Sequence, residues 1–294
     1  MFYEPGRTEH NLPHDPFKAC VVPRPIGWIS TVSPPQSTST STSTSTSKST
    51  STSTGTAASG DDHVQRTNTP TPTPTDNTDN TVIDDDKQTQ SQTRANLAPY
   101  SQFNNLTFDP PYVMFSANQT AQGTRKDTVR NAEATGVFCW QLATWPLREA
   151  VNTTAEQLPY GVDEFEHAGL TKVYSRVLRP AVPMVAESPV RFECEYHSTL
   201  RLPANPPMGT VDVVIGKVVG VHVDESVLTD GKIDVGKTQP IARCGYYQYA
   251  VVRDTFDMII PGDPASLLGL EGSVKKHREH REAAQGMGGS EPKP

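Results

Sequence analysis

The chain has 294 residues, a formal net charge of −7 at pH 7 and 34% hydrophobic residues. This charge gives no reason to expect nucleic acid or an anionic membrane as a partner, and no apolar run is long enough to span a bilayer. The N-terminus lacks the apolar core of a secretory signal and the four cysteines are far apart, so we expect a cytoplasmic protein with free thiols.

The first segment with strand character follows a polar N-terminal arm, residues 1–15. The residues after this arm are rich in β-forming side chains, but Pro23 and Pro25 forbid a regular strand at the start. The pattern therefore predicts a bend followed by a strand over 26–32. Arg24 lies between the two prolines, so its backbone is stiff and its side chain is a candidate wall for a ligand. A surface arginine on a kinked edge is the alternative.

Residues 36–93 break this pattern, because they are almost devoid of apolar side chains and consist largely of Ser, Thr, Pro and Asp. Ordering such a segment would cost backbone entropy with no apolar burial in return, so it is predicted to be disordered. Strand-like residues flank it on both sides. This predicts a hairpin of residues 26–32 with residues 96–103, whose tip carries the insertion. A regulatory arm carrying phosphate or sugar is the functional alternative.

The rest of the chain predicts many short strands and few helices. Strands are predicted over residues 112–116, 137–143, 190–200, 211–223 and 246–253. Helices are predicted over 124–135, which a glycine follows, and over 146–157, and residues 160–169 are predicted to be a loop. Residues 261–294 are predicted to be a polar C-terminal tail. This spacing favours a mainly β fold, a small β-barrel with helical decoration, over a doubly wound parallel sheet.

Lys126, Asp127 and Thr128 stand at the predicted start of the first of these helices. A helix N-terminus has free N–H groups and a partial positive charge, and a neighbouring lysine adds a full charge. The three residues are therefore a candidate clamp for a phosphate group. They also make an ordinary helix start, which is the alternative interpretation.

Four motifs occur in order along the chain. They are R-P-I-G-W-I-S-T at 24–31, N-L-A-P-Y-S at 96–101, K-D-T at 126–128 and Y-G-V-D-E-F at 160–165. Together they resemble the flavin reductase-like, FMN-binding split β-barrel family. The resemblance implies one domain over residues 16–260, interrupted by the insertion at 36–93.

The resemblance also implies a homodimer that holds FMN non-covalently near the subunit interface and uses NAD(P)H as electron donor. We therefore predict an FMN-binding oxidoreductase, with a non-catalytic flavin-binding electron carrier or storage module as the alternative. Because the flavin carries the redox chemistry, no catalytic acid, base or nucleophile is nominated. His222 is predicted to be structural, and His277 and His280 to lie in a solvated tail, so no metal site is predicted.

The predicted cofactor site has three parts. Arg24 is added to the phosphate clamp, because a guanidinium pairs with two oxygens at once. Short polar side chains suited to the flavin edges and the ribityl chain are those of Ser30, Thr31, Asn96, Ser101 and Ser116. The residues predicted to line the ring are Pro25, Ile26, Ala98, Pro99 and Tyr100. For Tyr100 a plain core position is the alternative.

Overall fold

The computed structural model describes residues 1–35, 93–256 and 258. The disorder predicted for residues 36–93 and the tail predicted for residues 261–294 lie outside the described residues, apart from Thr93. The elements of the fold lie in one compact unit, Met1–Arg253. Within the described ranges, no helix has the length and apolar character needed to cross a bilayer.

Short strands dominate this unit. The strands are β1 (Arg24–Pro25), β2 (Gly27–Val32), β3 (Ala95–Tyr100), β4 (Phe103–Phe108), β5 (Pro111–Asn118), β6 (Val137–Gln141), β7 (Lys172–Tyr174), β8 (Pro183–Val185), β9 (Val190–Leu202), β10 (Val211–Val223), β11 (Leu228–Thr229), β12 (Lys232–Ile233), β13 (Ile241–Arg243) and β14 (Tyr249–Val251). The α-helices are α1 (Phe17–Cys20), α2 (Asp127–Thr135), α3 (Arg148–Thr153), α4 (Glu164–His167) and α5 (Val235–Thr238).

Seven of the strands form one antiparallel sheet in the order β3-β2-β6-β9-β10-β5-β4. Its two edge strands, β3 and β4, are consecutive in the chain and are joined by Ser101 and Gln102 alone. So short a link brings both edges together only if the sheet curls round, so the sheet forms a barrel that is open between these edges. The amide of Ser116 donates to the Gln102 carbonyl at 2.9 Å and holds the link there. The mainly β, split-barrel fold expected from the sequence is confirmed.

Strands β2 and β3 form the hairpin predicted around the insertion. They are antiparallel, with Gly27 opposite Tyr100 and Val32 opposite Ala95, so the insertion leaves and re-enters at the tip. Every residue of β2 is buried, because β2 lies between two strands and α2 packs against it. The prediction of a strand at 26–32 is therefore correct to within one residue.

Alternate side chains of the strands fill the barrel interior, as the two-residue period of a strand requires. Along β10, Val214 and Val218 are 0% and 7% exposed. The rings of Phe115 and Phe138 meet there edge to face, with centroids 5.5 Å apart and planes at 76°. These side chains belong to one continuous apolar cluster that also contains Ile29.

Position 216 in this interior requires glycine, because the ring of Phe138 occupies the space that a Cβ atom would need. A Cβ atom at position 216 would stand 2.3 Å from Cζ of Phe138 and 3.2 Å from the carbonyl oxygen of Glu195. We expect Gly216→Ala to lower the free energy of unfolding by about 1–3 kcal/mol, the usual cost of overpacking. Urea unfolding followed by circular dichroism measures this loss. In a Phe138→Leu background the alanine should cost less, and an equal cost in both backgrounds contradicts the steric explanation.

A second apolar cluster, the Trp28 cluster, contains Trp28, Leu97, Val151 and Phe165 among its buried members. Trp28 and Phe165 are both fully buried. The indole Nε1 of Trp28 donates to Oγ1 of Thr154, at the end of α3, at 2.9 Å. The cluster therefore joins β2 and β3 of the barrel to α3 and α4.

Two predicted elements in the middle of the chain are corrected by the structure. The helix predicted over 146–157 ends at Thr153, because the amides of Ala155 and Glu156 bond only three residues back and form turns. The loop predicted over 160–169 contains α4, which begins where the Asp163 side chain accepts a hydrogen bond from the Phe165 amide.

Two strand predictions also need correction. The sequence pattern misses β4, because only its first residue, Phe103, is buried and the strand shows no apolar alternation. The strand predicted over 246–253 is shorter in the structure, where only β14 (Tyr249–Val251) forms. Gly245 and Tyr246 have φ angles of 85° and 45°, so the chain turns before the strand begins.

Candidate functional site

A cavity of about 270 Å³ lies at the opening of the barrel. Its walls come from β3, the link to β4, the end of β5, the start of α2 and the segment after α3. It brings together most of the residues predicted to bind a cofactor. These are Asn96, Ala98, Pro99, Tyr100, Ser101, Ser116, Lys126, Asp127 and Thr128.

The start of α2 lines this cavity, and its N-cap residue does not cap the helix with its side chain. Lys126 is the N-cap residue, with an extended backbone and no side-chain cap. The amides of Val129 and Arg130 both donate to the Lys126 carbonyl at 3.1 Å, so they are the first donors of the helical ladder. The amides of Asp127 and Thr128 lie ahead of that ladder, where a helix end suits an anion.

The Lys126 side chain lines the same end of the cavity. Its Nζ donates to Oε1 of Gln157, a neutral partner, and among the described residues no carboxylate oxygen lies within 4.0 Å of Nζ. Burial lowers the pKa of Lys126, and the nearby Asp127 opposes this shift. A partly dehydrated ammonium group without a paired carboxylate is suited to a phosphate.

Asn96 and Thr128 tie β3 to the start of α2, and Tyr100 lies in the same wall of the cavity. The side-chain amide of Asn96 donates to Oγ1 of Thr128 at 2.8 Å, and both residues are buried. Burial raises the pKa of the Tyr100 hydroxyl, and the neighbouring Thr128 side chain opposes this shift. The Tyr100 ring also lies 5.1 Å from that of Phe115, so Tyr100 both lines the cavity and packs on the core.

Two carboxyl groups that were not assigned a site role also line the cavity, those of Glu156 and Glu164. The predicted site residue Asp127 contributes a third. Burial raises the pKa values of Asp127 and Glu164. Oε2 of Glu164 accepts a hydrogen bond from the Leu97 amide at 3.0 Å, and Glu156 contacts His167 at 2.9 Å. The Y-G-V-D-E-F motif contained Glu164, but the motif alone gave no reason to place it in the site.

Three predicted residues from the first motif are not brought to this cavity. The Arg24 guanidinium turns back on its own loop, where Nη1 donates to the carbonyls of Lys18 and of Val21, the latter at 2.9 Å. Pro25 belongs to β1, which pairs with β13 rather than with the barrel sheet. Ile26 is 4% exposed and packs in the Trp28 cluster.

Ser30 and Thr31 are also held elsewhere, because both lie within the fully buried strand β2. Oγ of Ser30 donates to the Pro183 carbonyl at 2.6 Å. Oγ1 of Thr31 accepts a hydrogen bond from the Asn131 side chain at 3.1 Å, which fastens β2 to α2. These hydroxyl groups satisfy partners inside the fold.

Of the three histidines singled out in the sequence, the structure describes His222. His222 contacts Oε1 of the buried Glu193 through Nε2 at 2.6 Å, and Glu193 also accepts the amides of Arg176 and Val177. His277 and His280 lie outside the described residues. In the described part of the chain, no group of three or more His, Cys, Asp or Glu side chains is arranged to hold a metal ion.

The barrel resembles several solved structures. Nitrilotriacetate monooxygenase component B from Bacillus cereus matches with a TM-score of 0.60 and 25% identity, over 88% of this chain and 98% of that one. The 2-nitrobenzoate 2-nitroreductase of Pseudomonas fluorescens matches with a TM-score of 0.54 and 17% identity, over 83% of this chain and 88% of that one. The second match shows a shared fold alone.

Sequence comparison gives a more specific result. An uncharacterized protein of Halalkalibacterium halodurans is 35% identical over 166 residues, which are 56% of this chain and 78% of that protein. A second relative, from Bacillus subtilis, is 33% identical over 56% of this chain and 80% of its own length. The model of the flavin reductase-like domain matches residues 86–240, more than half of the chain, and this chain therefore belongs to the flavin reductase-like family.

Proposed function

We propose that this protein is an FMN-binding oxidoreductase that takes electrons from NAD(P)H. Its family supports a flavin-related oxidoreductase. The observation that carries the choice of FMN is the start of α2, which lies in the cavity. The N-cap residue makes no side-chain cap there, and among the described residues the hydrogen-bond partner of the Lys126 ammonium group is the neutral Gln157. A flavin with a single phosphate group offers the anion that such a helix end suits.

The described residues fit this cofactor in their chemistry. Lys126 and the amides of Asp127 and Thr128 would hold the phosphate group. The side chains suited to the ribityl chain and the ring edges are those of Asn96, Ser101 and Ser116. When bound, FMN supplies hydride acceptance and electron transfer, so the task of the chain is to bind and orient it.

A second copy of the chain covers the apolar surface beside the cavity. Ser116, which lines the cavity, is opposite Val213 on β10, and Val213 is opposite Leu200 on β9. Opposite residues share one face of a sheet, and Leu200 is 56% exposed, so apolar surface continues outward from the cavity. Sedimentation analysis tests this expectation, and an FMN-bound protein that sediments as a monomer contradicts it.

Flavin binding and reduction test the proposed function on one purified sample. We expect a yellow protein, or one that quenches the fluorescence of added FMN, and bleaching of the flavin band when NADH or NADPH is mixed in without oxygen. A colourless protein that does not bind FMN overturns the proposal. Binding without bleaching by either nucleotide identifies a flavin-binding electron carrier or storage module instead.

Glu164 provides a prediction about pH. Burial raises the pKa of its carboxyl group, and a glutamine oxygen can keep its bond with the Leu97 amide. Removing one negative charge near a bound phosphate gains on the order of 1 kcal/mol, so Glu164→Gln should tighten FMN binding about fivefold at pH 7. The gain should shrink as the pH falls through the raised pKa, because the wild-type carboxyl then becomes neutral too. Fluorescence titrations across pH measure this, and a gain that does not vary with pH contradicts it.

A further inference from the structure

Four charged side chains outside the cavity form a closed set of ion pairs, the charge ring of Arg125, Glu133, Arg201 and Asp212. Arg125 lies 2.6 Å from Glu133, from Nη2 to Oε2, and 3.4 Å from Asp212, from Nε to Oδ2. Arg201 completes the ring at 2.7 Å from Oε1 of Glu133 and 3.2 Å from Oδ1 of Asp212. The two arginines and two carboxylates give the ring no net charge.

The charge ring contacts both ends of α2. Arg125 directly precedes Lys126, the N-cap residue, and Glu133 lies in the last turn of the helix. Asp212, on β10, is opposite Ala117 on β5, and Ala117 lines the cavity. The ring therefore connects the start of α2 to the strands that form the cavity wall.

The loop that carries Arg125 is fastened at its other end as well. The Gln119 amide donates to the Thr210 carbonyl at 3.1 Å, and the Thr210 amide donates to Oε1 of Gln119 at 3.2 Å. The loop therefore leaves β5 in a fixed direction and is held again where α2 begins. The contacts of Arg125 therefore act directly beside Lys126, in addition to the bond between Asn96 and Thr128.

Asp212 is the deepest member of the charge ring. It is 2% exposed, whereas the Arg201 side chain is 50% exposed. Burying a carboxylate is costly, and its ion pairs do little more than offset that cost, so such a pair adds little net stability. We expect its effect to be on position instead, because the pair between Asp212 and Arg125 joins β10 to the residue that precedes Lys126, the N-cap of α2.

We propose that Asp212 is a positioning residue for the flavin phosphate group: through Arg125 it holds Lys126 and the first amides of α2 where they meet that group. This inference rests on the proposed function. Asp212 does not line the cavity, so its influence on the cofactor passes through Arg125.

The test compares two flavins that differ only in the phosphate group, FMN and riboflavin. Each is titrated by fluorescence into the wild type and into Asp212→Asn, which keeps the side-chain shape and removes the charge. Weakening one charge-assisted contact lowers FMN affinity by about five- to tenfold, and riboflavin affinity should stay unchanged. Glu225→Gln, which removes an exposed carboxylate beyond the end of β10, is the matched control and should change neither affinity.

The outcomes separate the inference from the proposed function. An unchanged ratio of FMN to riboflavin affinity in Asp212→Asn overturns the inference, as does an equal loss for both flavins, which indicates general structural damage. If this variant does not fold, Arg125→Gln removes the group through which Asp212 acts, and an unchanged ratio of FMN to riboflavin affinity there overturns the inference. A wild type that binds both flavins alike, or neither, overturns the proposed phosphate site itself.

Discussion

Replacing Trp28 with alanine should lower the free energy of unfolding by about 3–5 kcal/mol, the range for truncating a large buried aromatic side chain. Trp28 has no exposed surface and packs with Leu97 and Phe165. The substitution leaves a cavity in the Trp28 cluster and removes the donor to the Thr154 hydroxyl. Denaturant unfolding followed by circular dichroism measures the loss.

Trp145→Ala is the matched control for this experiment. Trp145 is 39% exposed, and the guanidinium of Arg148 lies 4.1 Å from the centroid of its ring. Losing an exposed contact of this kind costs about 0.5–1 kcal/mol. If the two variants lose equal amounts of stability, the Trp28 cluster does not hold α3 and α4 to the barrel.

Lys126→Ala should weaken FMN binding by roughly 1.5–3 kcal/mol, or about 10- to 150-fold in Kd, the scale of a hydrogen bond to a charged group. The ammonium group is partly dehydrated and its present partner, Gln157, is neutral. Among the described residues, no paired carboxylate would therefore compete with a phosphate group for it. Quenching of FMN fluorescence on titration measures the change.

Lys232→Ala is the control for charge, because Lys232 is an exposed lysine on β12 and does not line the cavity. It removes the same charge from the whole protein but should leave the Kd for FMN unchanged. Equal affinity of the Lys126→Ala variant and the wild type would show that the phosphate group does not bind at the start of α2.

The elements that could be predicted are those whose own side chains carry the signal. β10 is β-branched along most of its length, and the predicted and observed bounds agree. The end of α2 is also signalled by a single residue, because Gly136 has a φ of 75°, a backbone conformation that favours glycine. β4 offers no such signal, since it is mostly exposed and its place depends on pairing with β5.

The candidate site could be predicted where one stretch of chain forms a wall. Residues 96–101 and 126–128 do so, because they lie along one strand and at one helix start. The motif around Arg24 does not line the cavity, contrary to the prediction. Its strand β2 is buried on both faces, so neighbouring residues of the motif point to different parts of the protein interior. Gln157 and Glu164 come from segments whose folding over the cavity depends on the distant Trp28 cluster.

Strand β3 is also an edge of the sheet, and such an edge exposes backbone groups to which a strand of another molecule can pair. Here the Leu97 amide is already bonded to Glu164 from α4. One carboxyl group thus lines the cavity and also occupies a backbone donor of this edge strand. Protein in which α4 detaches should therefore become prone to edge-to-edge aggregation, which links the integrity of the cavity to the solubility of the chain.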